Sequence, residues 1–212
     1  MIAKIPTGPL VIDLPSSQEV AQVALTAVAR APQRGVGWHM VRVTIKPEEL
    51  LQLTGFMRQC GFPVILPAAE TRSKMLVEVH TAVAASTGDP LPPCLVIHKD
   101  DQAGLSADVH TLLVYCTGSV TGGVAAGELD IYGEEEPLAG ALPSYTIDTQ
   151  PAADCVRAVL MSGRLWHCPR AIAGAGAVRQ VFVFQCERAP GEPKPECERA
   201  PGEPKPERSI NP

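Results

Sequence analysis

Aromatic residues are scarce in this chain: Phe, Trp and Tyr together make up 4% of 212 residues. Any core must therefore rest on Val, Leu, Ile and Ala, and each aromatic position invites inspection. Long apolar runs are missing as well. No stretch approaches the roughly 18 residues that a membrane helix needs, so no membrane association is expected. Positive charge is not in excess. With 18 Lys+Arg against 23 Asp+Glu, the formal net charge is −5. That excludes a strongly basic nucleic-acid or membrane-surface protein by bulk charge, although not a local basic groove. No Cys-x-x-Cys occurs among the seven cysteines, Cys60, Cys94, Cys116, Cys155, Cys168, Cys186 and Cys197. An odd, scattered set suits neither a disulfide framework nor a zinc knuckle, and points to the cytoplasm or nucleus. Cys116 and Cys155 sit in apolar runs and are expected to be core thiols. The stretch Met1 to Pro15 has one Lys and no continuous apolar run; it does not read as a secretory signal.

What is present is enough for one folded domain. Hydrophobic residues reach 45% and charged residues 19%, a balance that opposes global disorder. The expected domain covers residues 1–185, with helix and strand support over 1–90 and a β-rich core over 91–185. Residues 186–212 form a tail. Within it, Cys186-Glu-Arg-Ala-Pro-Gly-Glu-Pro-Lys-Pro-Glu196 recurs as Cys197 to Glu207, an eleven-residue tandem repeat. Two short Pro- and Glu-rich copies cannot build a solenoid and should be extended and disordered. The tail is a candidate docking peptide for a proline-binding module, or a duplication without a role.

In the first half, Ser16-x-x-Glu19 has the form of a capping box before an Ala/Val-rich helix to about Ala31. Trp38 to Ile45 reads as a strand. Pro47 opens a second helix, with Leu50, Leu53, Met57 and Cys60 on its apolar face and Gly61 as its stop. Glu70 to Ser86 reads as a third helix. After residue 90 short β-rich runs follow one another: Cys94–Asp100, His110–Cys116, Glu128–Tyr132, Ser144–Asp148, Cys155–Met161, Arg164–His167 and Val178–Gln185. Helices followed by many short strands predict an α+β fold, a double-stranded β-helix (jelly-roll) barrel buttressed by N-terminal helices.

His98 and Asp100 stand two residues apart, so on a strand they project to one side. His167 arrives from a late strand. Two imidazoles and one carboxylate on one face of a metal leave three coordination positions open, the facial triad of non-haem Fe(II) oxygenases. His-x-Asp alone means little, since five histidines and acids at about one position in nine give about half a match by chance. Each residue also has a plain reading. His98 and Asp100 suit a surface strand, His167 a residue packed beside Trp166, Arg179 a solvated strand charge, and Tyr115 a core residue with a satisfied hydroxyl. His110 should point away from Thr111, and His39 and His80 read as structural or exposed.

The wider pattern favours the site. His98-Lys-Asp100 is followed by Thr111-Leu-Leu-Val-Tyr115, then Thr121-Gly-Gly123 and Gly127-Glu-Leu-Asp-Ile-Tyr132. Arg157-Ala-Val-Leu-Met161 and Gly163-Arg-Leu-Trp-His167 come next. Gly176-Ala-Val-Arg179 then leads into Gln180-Val-Phe-Val-Phe184. Over about residues 94–185 this order resembles the Fe(II)/2-oxoglutarate-dependent oxygenases, in particular their prolyl-hydroxylase-like branch. The resemblance implies that His98, Asp100 and His167 are both metal ligands and catalytic residues. It implies that Arg179 pairs with the far carboxylate of 2-oxoglutarate, and that Tyr115 and Thr111 add hydroxyl contacts to this co-substrate. Fe(II), 2-oxoglutarate and O2 would be required, with ascorbate as a reductant. The reaction would be hydroxylation of a peptidyl or amino-acid side chain, or of a small molecule, with release of succinate and CO2. A nucleobase substrate is the alternative within the superfamily and fits the acidic balance less well. Outside it stand a non-catalytic jelly-roll module recruiting a partner through its tail, and a cupin-like barrel holding a different metal. Two departures are visible. Val124-Ala-Ala126 splits the glycine element, and the step from His167 to Arg179 is longer than usual, so Arg170 or Tyr115 could share the work of Arg179. Loops around 101–109 and 133–143 are where a substrate would be selected.

Overall fold

The computed structural model describes residues 8–32, 35–62, 65–67, 74–87, 97–100, 109–116, 127–172 and 174–188. The proposed Thr121-Gly-Gly123 turn, the Val124–Ala126 insertion, the 101–108 loop and the tail from 189 onward lie outside them.

Among the described residues, ten strands and two helices alternate early and become all-β late. Strand β1 (Leu10–Pro15) leads into α1 (Glu19–Arg30). Val20, Val23, Ala24, Ala27 and Val28 of α1 recur at helical spacing and are buried, as an amphipathic helix requires. Gln18 is its N-cap, so Glu19 opens the helix rather than closing a capping box from Ser16. At that position its charge faces the positive end of the helix dipole. Strand β2 (Gly37–Thr44) precedes α2 (Pro47–Gln59). Pro47 fits the first turn of α2, where no N–H is needed. The Glu49 carboxylate accepts the Lys46 backbone N–H at 2.7 Å. Gly61 follows at φ +90, a left-handed exit that glycine permits. Arg30 and Glu49, 3.2 Å apart, tie the two helices together.

The expected third helix is a strand. After β3 (Ile65–Pro67), β4 spans Leu76–Val83. The reason lies in its alternation: Val77, Val79 and Thr81 are buried between Glu78 and His80, a period of two in β-branched residues. The remaining strands are β5 (Val109–Tyr115), β6 (Leu129–Gly133), β7 (Tyr145–Ile147), β8 (Cys155–Ser162), β9 (Trp166–Pro169) and β10 (Val178–Arg188). Strand β10 runs three residues into the first repeat copy, and Cys186 is buried in the core.

Among the described residues, all strand pairings are antiparallel. A seven-stranded sheet has the order β1-β8-β5-β10-β4-β2, with β3 also pairing β10. A smaller sheet has the order β7-β6-β9. The fold is an α+β jelly-roll type. The N-terminal half is more than a support: it supplies β1, β2, β3 and β4 to the large sheet. One core lies between that sheet and the helices, joining Val23, Leu53 and Met57 to Val79, Leu160, Phe182 and Phe184. A second lies between the sheets, where Leu113, Val159 and Val183 meet Leu129, Ile131 and Ile147. Among the described residues, no helix is long and apolar enough to cross a membrane.

Candidate metal centre

Strand alternation decides which residues enter the space between the sheets. On β5, Leu113 and Tyr115 belong to the inter-sheet core while Leu112 and Val114 belong to the helix side. Thr111 therefore faces inward. His110 faces outward, where its ring meets Phe62 edge-on at 4.9 Å, as the alternation predicts. On β10, Arg179 shares the inward register of Val181 and Val183.

His167 sits on β9 opposite Ile131 of β6. His98 adds one further bridge to the edge of that sheet. Its N–H donates to the His167 carbonyl at 3.0 Å and its carbonyl accepts the His167 N–H at 2.7 Å. Asp100 is anchored by its own N–H, which donates to the Gly163 carbonyl at 2.9 Å. That carbonyl belongs to the turn between β8 and β9. The turn lies close because residue 163 is glycine. A Cβ there would stand 3.0 Å from the Val109 carbonyl oxygen.

His98, Asp100 and His167 each offer one donor atom, and these atoms lie within 4.8 Å of one another. Asp100 Oδ1 is 3.8 Å from His98 Nε2 and 3.8 Å from His167 Nε2. These separations are too long for hydrogen bonds. Adjacent donors on an octahedral ion with bonds of about 2.1 Å stand about 3 Å apart, so small rotations close the set on a common centre. His167 Nδ1 lies 2.9 Å from the Leu165 carbonyl. That bond assigns the ring proton to Nδ1 and leaves the Nε2 lone pair facing Asp100. Burial holds the His167 imidazole below its ordinary pKa. Asp100 opposes this effect and His98 adds to it. A neutral ring is the form that ligates a metal. His167 is buried and His98 is partly open. The donor set thus fits a divalent metal on chemistry, burial and tautomer.

The Thr111 hydroxyl donates to Asp100 Oδ2 at 2.5 Å, a contact to a proposed ligand that the sequence reading did not include. Tyr115 lies four residues along β5, about 13 Å away at the backbone. It is fully buried, and burial raises its phenol to about 12 against a lowering by nearby Arg179. The plain reading of Arg179 as a solvated strand charge fails, because it is buried. Its Nη1 donates to the Gly127 and Arg170 carbonyls, each at 3.1 Å. Its Cζ lies 5.1 Å from the centroid of the Trp38 ring, within cation–π range. Arg170 cannot share this work. It pairs with Asp130 at 2.7 Å and with Glu128. Asp130 faces away from the space that Leu129 and Ile131 enter.

Sequence reasoning missed two partners of Arg179. Gly127 has φ +130, and a Cβ on it would stand 2.7 Å from Arg179 Nη1. Trp38 comes from β2, far from the motif in sequence, and only its rarity marked it. His39 Nε2 lies 2.9 Å from the Gly35 carbonyl, and His80 lies 3.1 Å from Glu78; both stand apart from the triad. Of the expected core thiols, Cys116 and Cys155 are only half-buried. Burial pushes Cys116 up to about 12.

No family model and no curated protein matches the chain. Several solved structures superpose on part of the chain. One is a prolyl hydroxylase in complex with a hypoxia inducible factor oxygen degradation domain peptide fragment from Trichoplax adhaerens. It has TM-score 0.49 and 14% identity, with 85% of this chain and 84% of that chain covered. A prolyl-4-hydroxylase from Pseudomonas putida has TM-score 0.45 and 19% identity, with 86% and 94% covered. IDO from Bacillus thuringiensis has TM-score 0.44 and 10% identity, with 84% and 88% covered.

Proposed function

We propose that the protein is an Fe(II)/2-oxoglutarate-dependent oxygenase that hydroxylates a peptidyl or amino-acid side chain. The observation that carries this reading is the convergence of two imidazole nitrogens and one carboxylate oxygen within 4.8 Å at the edge of a jelly-roll. His98, Asp100 and His167 would hold the iron. Bound iron supplies activation of dioxygen coupled to decarboxylation of 2-oxoglutarate. The rest is the work of the chain. His167 offers Nε2 because Leu165 holds the proton on Nδ1. Arg179 and Tyr115 would receive the far carboxylate of 2-oxoglutarate. A guanidinium fork matches a carboxylate with two charge-assisted bonds, and the Trp38 ring and the Gly127 carbonyl fix where that fork sits. Leu113, Val181 and Val183 belong to the buried apolar core between the two ends and keep water from the reacting groups.

The substrate would be received by the β6–β7 loop. Register puts this loop at the triad end, because Ile131 pairs with His167 and Gly133 with Trp166. Leu138 and Leu142 in the loop are 83% and 88% exposed, and Glu135 and Glu136 beside them are also exposed. Two bare leucines next to acidic residues suit an extended polypeptide with apolar and basic side chains better than the phosphates of a nucleic acid.

Anaerobic titration with Fe(II) and 2-oxoglutarate tests metal, co-substrate and geometry together. The expected result is a weak visible charge-transfer band in the wild type and none in His167→Ala. Aerobic incubation with ascorbate should then release succinate. A wild type that shows neither band nor succinate overturns the reading.

A further inference from the structure

We infer that an ion-paired brace on the outer face of the small sheet, made by Arg170 with Glu128 and Asp130, sets the distance between the triad and Arg179 and so selects the length of the oxo acid held between them. The inference rests on the reading of Arg179 as the partner of a far carboxylate and adds Arg170 to it as a positioning residue.

Arg179 comes from the large sheet, but both carbonyls that its Nη1 meets belong to segments flanking strands of the small one. Gly127 stands just before β6 and Arg170 just after β9. Three bonds fasten these two ends. The Arg170 N–H donates to the Glu128 carbonyl at 2.8 Å, one step beyond the last register pair, Leu129 with Pro169. Arg170 Nε donates to Asp130 Oδ2 at 2.7 Å, and its Nη1 donates to Glu128 Oε2. Thr146 of β7 donates to the other Asp130 oxygen at 2.8 Å and joins the same network. The Gly127 carbonyl is fixed in turn by the Thr149 hydroxyl, which donates to it at 2.6 Å. A guanidinium shared between two carboxylates is a directional, charge-assisted tie. Asp130 is buried, so salt screens its half of the tie little.

Strand β9 gives the brace its consequence. His167 lies three residues before Arg170, so about 10 Å of extended strand separates a proposed ligand from a carbonyl that holds Arg179. One strand thereby fixes both ends of the space in which an oxo diacid would lie. With the Arg170 side chain cut back, its carbonyl stands at a strand end that can fray, and Arg179 follows it.

The test removes the brace and keeps the carbonyl. Arg170→Met retains the backbone and an apolar stem. In metal-free protein carrying Trp166→Phe, Trp38 is the single remaining tryptophan, and its ring lies against Arg179. Arg170→Met should move the Trp38 emission toward that of Arg179→Met. By calorimetric titration, Mn(II)-loaded full-length protein with this substitution should bind 2-oxoglutarate about 10-fold more weakly, the usual cost of removing a group that orients a binding residue. 2-Oxobutyrate, which lacks a far carboxylate, should bind variant and wild type equally. 2-Oxoadipate, one carbon longer, should bind the wild type less tightly than 2-oxoglutarate, and Arg170→Met should narrow that preference. Arg170→Lys, which can still reach one carboxylate, should fall between the two. If Arg170→Met does not fold, Glu128→Gln removes one arm at a half-exposed position and should give the same changes in smaller measure. A folded variant with Trp38 emission and 2-oxoglutarate affinity unchanged overturns the inference and leaves the reading of the site standing. Equal weakening toward 2-oxobutyrate also overturns it, because general loosening would act on both acids. A wild type that binds Mn(II) but holds 2-oxoglutarate no more tightly than 2-oxobutyrate overturns the role of Arg179, and this inference with it.

Discussion

The two faces of the large sheet are made by the same strands and do opposite things. Toward the helices, β5 presents Leu112 and Val114, β8 presents Ala158 and Leu160, and β10 presents Phe182 and Phe184. The polar group that β5 adds on this side, His110, packs against Phe62. Toward the small sheet the alternate residues include Thr111 and Tyr115, Glu78 and His80, and Arg179. One face is almost wholly apolar; the other mixes a second apolar core with the polar side chains proposed to serve the site. Since β5 is buried along its whole length, its sequence reads as an apolar run carrying one imidazole and two hydroxyls. On these strands the division between purely apolar packing and polar side chains follows residue parity, not segment.

Four substitutions test that division. The largest effect is expected from His167→Ala, which should abolish Fe(II) binding by metal titration while circular dichroism stays that of a folded protein. The complementary change, Leu160→Ala on the helix face, should cost about 2–5 kcal/mol by urea unfolding, the usual range for a buried leucine. Metal affinity measured under folding conditions should stay unchanged. If Leu160→Ala weakened the metal as much as the fold, the two faces would not be separable. A smaller effect is expected from Gly127→Ala. A Cβ there meets Arg179 at φ +130, which should destabilise the fold by about 1–3 kcal/mol. It should also weaken 2-oxoglutarate binding more than metal binding in paired titrations.

The smallest effect concerns Glu78. The His80 side chain, with Arg42 assisting, holds its carboxyl below the ordinary 4.5 against the raising effect of burial. A depressed carboxylate stabilises the fold fully above its unfolded value and loses that contribution as pH falls through the folded one. Glu78→Gln should therefore lower stability by up to about 1 kcal/mol at pH 7. The melting temperatures of variant and wild type should converge as pH drops below 4.5. Equal gaps at pH 7 and pH 3 would show that the group acts through packing alone.

From residue 109 onward most strands could be read from the sequence because turn residues punctuate them, whereas the expected Cys94–Asp100 strand is, where it is described, only an isolated bridge from His98 to His167. What could not be read was long-range. Strand β4 passes for a helix because its Ala and Glu are helix formers, and only pairing with β2 and β10 makes its alternation count. Parity gives the face of the Thr111 side chain but not its partner, so its bond to Asp100 could not be read. Trp38 and Gly127 bracket Arg179 from elements that no local pattern links to it. The end of β10 was misjudged because the repeat begins inside it. Cys186-Glu-Arg188 pairs with β3, although composition groups it with the prolines that follow.

The reciprocal backbone bonds between His98 and His167 carry a last consequence. Two of the three arms that would grip a cation are already clasped to each other before it arrives. An ion entering there need not gather them from independent loops, an ordering that would cost about 1–2 kcal/mol for each residue fixed. The jaw is set during folding, so capture should be quick, and motion at that sheet edge should carry both imidazoles together rather than prise them apart.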